Sequence, residues 1–122
     1  MFKKILAHEI EGNSIKIFKM DHPIVVFGDM NNHNGLTVAW GSIGCLWSKD
    51  IATVFVKPTR YSFSFANNCE YFSIMWFDEK RDEINKVFGS MSGKDVNKEQ
   101  LCKLTPFELD GAVAYEEASL II

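Results

Sequence analysis

The stretch Tyr71-Phe72-Ser73-Ile74-Met75-Trp76-Phe77 constrains this chain more than any other. Six of its seven residues are apolar, and most are aromatic or well suited to a pleated surface. Such a run reads as a central strand that needs cover on both faces. It therefore demands a layered fold with this strand in the middle. It is far shorter than the roughly 18 apolar residues of a membrane-spanning helix, and the apolar runs 24–27 and 51–56 are no longer. A chain of 122 residues can supply such layers, because a domain of this size buries about two-thirds of its unfolded surface. No repeat, linker or low-complexity run divides it, so residues 1–122 are expected to form one domain.

The remaining elements follow from pattern and punctuation. Alternating Ile15 and Ile17 predict a strand over 13–19. Pro23 opens a second strand over 24–28. Residues 29–35, with three Asn and a Gly, read as a turn. Strands are expected over 36–40 and 51–57. Pro58 stops the latter, and Thr59 is expected to cap a short helix reaching Asn68, although Phe63 and Phe65 also alternate as in a strand. Asp78 is expected to cap a helix that carries Ile84, Val87, Phe88 and Met91 on one face. A short helix is expected over 97–103. Leu109-Asp110-Gly111-Ala112 signals a tight hairpin of the I′ type. Strands that follow one another without helices favour a mainly β fold, a barrel with inserted short helices, over a parallel α/β sheet.

Composition removes several functional classes. Thirteen basic against sixteen acidic residues leave a net charge of −3, with no basic stripe for nucleic acid. The N-terminal segment has no apolar stretch of signal-peptide length, because His8, Glu9 and Glu11 interrupt it. A cytoplasmic location is expected, with no membrane partner. Cys45, Cys69 and Cys102 are widely spaced and contain no CxxC, so they read as buried or half-buried thiols in a reducing compartment. His8, His22 and His33 lack metal-ligand or triad spacing, and His33 reads as a solvated loop residue. Residues 89–95 are too short between glycines, and carry Asp where Mg²⁺ needs a hydroxyl, for a phosphate loop. No catalytic acid, base, nucleophile or metal set is expected.

Two segments carry chemistry. Residues 34–44 combine Asn34, Thr37, small residues and Trp40 closely along one stretch. Small residues let a planar ligand approach the backbone, though the same residues suit a strand with glycine bulges inside a barrel. Residues 56–62 place Lys57, Arg60 and hydroxyls at a helix N-terminus, which suits an anion, or equally a capped helix with solvated cations. Together they suit a ligand with a flat ring and a phosphate. Burying about 200 Å² of ring at about 25 cal/mol/Å² contributes about 5 kcal/mol. Charge-assisted phosphate bonds add about 1.5–3 kcal/mol each, which reaches micromolar affinity before ordering costs.

These segments resemble the flavin reductase-like family, which includes flavoredoxin. Residues 34–44 read like N-x-M-T-x-x-W-G-x-x-G, with Leu36 in place of Met. Residues 56–62 resemble V-R-P-S-R-Y-T, residues 88–95 resemble F-G-x-x-S-G-[RK]-D, and residues 110–118 resemble G-x-A-x-x-E-A. The resemblance implies an FMN-binding split β-barrel that forms a homodimer with FMN near the interface. It implies that Asn34, Thr37, Val38, Ala39 and Trp40 line the ring and ribityl chain. Arg60, Tyr61 and Ser62 would hold the phosphate with Lys57, and Ser92 and Lys94 would assist. It further implies NADH or NADPH as electron donor and a small-molecule or protein acceptor. Members of that family continue beyond the strand at residues 113–122, so the chain is expected to be C-terminally short. A non-enzymatic flavin electron carrier, or a truncated, cofactor-free interaction protein, are the alternative readings.

Overall fold

The structure, a computed structural model, describes residues 2–122. Its frame is a four-stranded antiparallel sheet. Strand β1 (Ile24–Gly28) pairs with β2 (His33–Thr37) on one side and with β5 (Phe72–Trp76) on the other. Strand β8 (Leu120–Ile121) adds to the outer side of β5. Two hairpins complete the β structure: β3 (Gly41–Leu46) with β4 (Lys49–Val54), and β6 (Pro106–Leu109) with β7 (Ala112–Tyr115). Short helices α1 (Ser14–Lys19), α2 (Ser62–Asn67), α3 (Arg81–Ser90) and α4 (Lys98–Cys102) fill the spaces between. None of the described helices is long and apolar enough to cross a membrane.

The central pair β1 and β5 explains the layering. Ile24, Val26 and Met75 point to one face, where α3, α4 and β7 contribute Ile84, Phe88, Cys102 and Tyr115. Val25, Phe27, Ile74 and Trp76 point to the other, against Phe18 of α1 and the half-buried Ile43, Ala52 and Val54 of the β3–β4 hairpin. Each central strand thus feeds two cores by simple alternation. The expectation of a doubly buried strand at 71–77 holds for its inner part: β5 spans Phe72–Trp76, residues 73–77 are buried, and Tyr71 and Phe72 are exposed. The I′ hairpin is also present: Asp110 (φ 50°) and Gly111 (φ 93°) both take the left-handed conformation that turn requires.

Several expectations are corrected. Residues 13–19 do not form a strand; Ser14–Lys19 is helix α1. Asn13 Oδ1 accepts from the amides of Ile15 (2.9 Å) and Lys16 (3.2 Å), and this N-cap overrides the alternation of Ile15 and Ile17. The turn after β1 is shorter than expected. Asp29 Oδ1 binds the amides of Asn31 and Asn32, closing the turn within residues 29–32. The next strand therefore starts at His33, and Val38 to Trp40 lie beyond it. Strand β3 was not anticipated as a separate element, and β4 runs over 49–54 instead of 51–57. Helix α2 starts at Ser62, so Thr59 does not cap it, and α3 starts at Arg81 behind Lys80, not behind Asp78. Met91 lies past the end of α3 and is exposed. Cys45 is exposed on β3, whereas Cys69 is half-buried and Cys102 buried.

Removing the cap tests the first correction. Asn13→Ala is expected to lower unfolding free energy by about 1 kcal/mol in urea denaturation. A strand at this position would leave stability unchanged.

Candidate functional site

The local chain geometry gathers three separated segments around one cleft of about 300 Å³. Asn34 stands on β2, Arg60, Tyr61 and Ser62 lie where the chain enters α2, and Ser92 and Gly93 follow α3. The Asn34 amide donates to Ser62 Oγ at 2.6 Å. Gly93 packs directly on the Asn34 amide, where any Cβ would collide with it. Arg60 Nη2 donates to the carbonyl of Phe88 at 3.2 Å. That carbonyl lies in the last turn of α3, where helix carbonyls lack intrahelical donors.

The cleft has a floor that the sequence reading missed. Lys98 is 5% exposed, and its ammonium donates to Gly35 O at 2.8 Å and more weakly to Phe88 O at 3.5 Å. It also lies 5.4 Å from the centre of the Phe88 ring. Burial, and then the neighbouring Arg60 charge, pull its pKa down to about 8. Among the described residues neither Arg60 nor Lys98 has a carboxylate within salt-bridge distance. Two cations thus share one carbonyl, beside hydroxyls, with no counter-ion. Such a site favours an anion, which relieves both their mutual repulsion and the cost of burial. Helix α2 has only six residues, so the cations, not its dipole, dominate the field here.

The other candidate residues divide between neighbouring places. Lys94 lines a second, larger cleft of about 470 Å³, which shares Asn34, Gly93 and Lys98 with the first. Thr37, Val38, Ala39, Trp40 and Lys57 line neither cleft. Thr37 Oγ1 donates to Asn85 O at 3.1 Å, and Val38 is buried in the core. Ala39 and Trp40 are exposed, and the Lys57 ammonium sits 5.2 Å above the Trp40 ring.

His33 is not the solvated loop residue expected from its Asn-rich surroundings. It opens β2, and its side chain is 12% exposed. Nδ1 faces Asp29 O at 2.8 Å, and Nε2 meets Glu99 Oε1. Both ring nitrogens face oxygen acceptors, which only an imidazolium satisfies. The bond to Glu99 is the main reason its pKa is raised, against a smaller opposing effect of burial. For Glu99 burial alone would raise the pKa. Hydrogen bonds from His33 and from the Tyr115 hydroxyl (2.7 Å), with the His33 charge, outweigh it and hold the carboxyl below its usual range. Burial raises the pKa of Tyr115 well above that of a free phenol, so the hydroxyl stays protonated and donates. No short-range pattern joins His33 to Glu99, since 66 positions separate them.

Comparison with known proteins adds the fold relationship. No family model and no curated protein matches the sequence. Solved structures do match. An FMN-binding domain of a flavin reductases-like enzyme from Shewanella baltica OS155 superposes with a TM-score of 0.71 at 18% identity, covering 88% of this chain and 58% of that one. Flavoredoxin from Desulfovibrio vulgaris (Miyazaki F) gives 0.70 at 19% identity, covering 96% and 62%. Flavoredoxin from Methanosarcina acetivorans gives 0.73 at 17% identity, covering 99% and 62%. The chain has the flavin reductase-like split-barrel fold. It spans about three-fifths of the length of these structures.

The pair of His33 and Glu99 predicts a pH window for stability. Glu99, with a lowered pKa, contributes fully above its ordinary 4.5 and loses that contribution as pH falls. His33, with a raised pKa, contributes fully below its ordinary 6.5 and loses that contribution as pH rises through the folded value. Thermal unfolding followed across pH is expected to show the pair's largest contribution between those values. His33→Gln is expected to flatten the decline on the alkaline side.

Proposed function

We propose that this chain binds FMN and serves as a flavin-dependent oxidoreductase. The observation that carries the reading is the convergence of Arg60 and Lys98, without a counter-ion, beside Ser62 and Ser92. The donor set fits a phosphate monoester: two cations, two hydroxyls and the Tyr61 edge in one cleft. Arg60, Lys98, Ser62 and Ser92 would hold the phosphate, with Tyr61 at the rim. Asn34, fixed by Ser62 and Gly93, would offer its amide towards the hydroxyl-bearing chain. The exposed Trp40, with Lys57 over its ring, and Ala39 would offer a flat surface for the ring system. Thr37 and Val38 contribute by holding the strand, because one hydroxyl is already bonded and the other side chain is packed away.

FMN, when bound, supplies the redox chemistry, accepting hydride from a donor and releasing electrons to an acceptor. The protein's own residues bind and orient it, and none needs to act as acid or base. NADH or NADPH is the proposed donor, and a small molecule or a protein the acceptor. A homodimer is proposed because Trp40, Leu46, Trp47, Ile51 and Phe55 leave large apolar side chains exposed on and beside one hairpin. A non-enzymatic flavin electron carrier would use the same site, and consumption of NADH or NADPH by the FMN-loaded protein separates the two.

Arg60→Glu is expected to weaken FMN binding about tenfold or more, read by quenching of flavin fluorescence. Affinity is also expected to fall as pH rises through about 8, where Lys98 loses its proton. Lys98→Met is expected to bind more weakly and to lose that pH dependence. Unchanged FMN affinity in Arg60→Glu would exclude this phosphate site.

A further inference from the structure

The larger cleft adjoins the cation cleft, sharing Asn34, Gly93 and Lys98 with it, and has its own chemistry on its far side. One side carries Glu99, held by His33 and Tyr115. Both of those bonds fall on Glu99 Oε1. Among the described residues Oε2 accepts from no protein donor, although the carboxyl is held in place and ionised. The cleft therefore presents a fixed anionic acceptor. Asn31, Asn32 and Asn97 also line the cleft, and Asn97 Oδ1 is already committed to the amide of Gln100 at 3.1 Å, which leaves its side chain to donate. Lys94 and Lys98 provide positive charge elsewhere in its lining.

This arrangement discriminates among ligand classes. A purely anionic ligand meets Glu99 and Asp95. A purely cationic one meets Lys94 and Lys98. An apolar one strips water from the Glu99 carboxylate and the polar lining without replacing their hydrogen bonds. A ligand with hydroxyl donors at one end and an anionic group at the other satisfies every part. We propose that this cleft binds the ribosyl group of a ribonucleotide, with Glu99 Oε2 accepting from a sugar hydroxyl and the phosphate facing Lys94 and Lys98. A carboxylate reading ribose hydroxyls is physically apt, because a hydroxyl bond to an ionised acceptor is stronger than one between neutral groups. His33 and Tyr115 are positioning residues in this scheme: they spend their hydrogens on one carboxylate oxygen and so aim the other. The volume, about 470 Å³, lies within the range of small-molecule sites.

The proposal does not require FMN; because Lys98 borders both clefts, its test reads the sugar contact through Glu99, which lines only the larger one. The intact chain is titrated calorimetrically with AMP, with 2′,3′-dideoxy-AMP and with inorganic phosphate. AMP is expected to bind about tenfold more tightly than the dideoxy compound, the cost of losing a hydroxyl bond to a charged acceptor. Glu99→Gln is expected to narrow that gap to about twofold or less. Backbone amide shifts on adding AMP to the wild type are expected at residues 31–35 and 94–99. Equal affinity for AMP and its dideoxy analogue overturns the proposal, and so does AMP binding no tighter than phosphate. The ligand pair on wild-type protein decides the matter even where Glu99→Gln fails to fold. Flavin retention, read by absorption on the same samples, reports separately on the FMN site.

Discussion

Everything in this molecule depends on the double burial of β1 and β5. Ile24, Val25, Val26, Ile74 and Met75 are at most 1% exposed, so two layers must cover them. That requirement brings α3, α4 and β7 to one face and α1 with the β3–β4 hairpin to the other. The candidate site is a by-product of the first layer. Phe88 packs into that core, which fixes the last turn of α3 and leaves its carbonyl at the cleft. Lys98 begins the helix whose Cys102 reaches the same core.

The cation cleft runs against stability. A buried ammonium with a neighbouring guanidinium and no carboxylate costs free energy that a hydrophobic pair would not. The lowered pKa of Lys98 expresses that cost. Its two carbonyl partners, Gly35 and Phe88, offset part of it. Departures from well-paired burial of this kind concentrate where a protein meets a ligand, because the ligand supplies the missing charge. The neighbouring cleft is arranged differently. There His33 is paired with Glu99, and one oxygen of that carboxylate is left without a protein donor.

Where the sequence reading failed, a local signal competed with a stronger one. Ile15 and Ile17 alternate as in a strand, but Asn13 satisfies two orphan amides and commits the segment to helix. The Asn-rich turn read as seven residues, but Asp29 closes it in four, and this moves β2 three positions earlier than expected. Register with β1 then sets which residues of 33–37 face the core. Of the candidate site, Asn34, Arg60, Tyr61, Ser62 and Ser92 come together, while Thr37 to Trp40 and Lys57 lie apart.

Sequence alone determined a strand at 24–28, a buried central strand near 71–77, the Asp110-Gly111 turn and a short helix near 97–103, because apolar runs and turn chemistry act over a few residues. Only the tertiary structure decided the roles of Lys98, His33 and Glu99. Lys98 meets Gly35 across 63 positions and His33 meets Glu99 across 66. A lysine in a short polar helix and a histidine among asparagines carry no local mark of burial. Their charge states depend on what the folded sheet places opposite them.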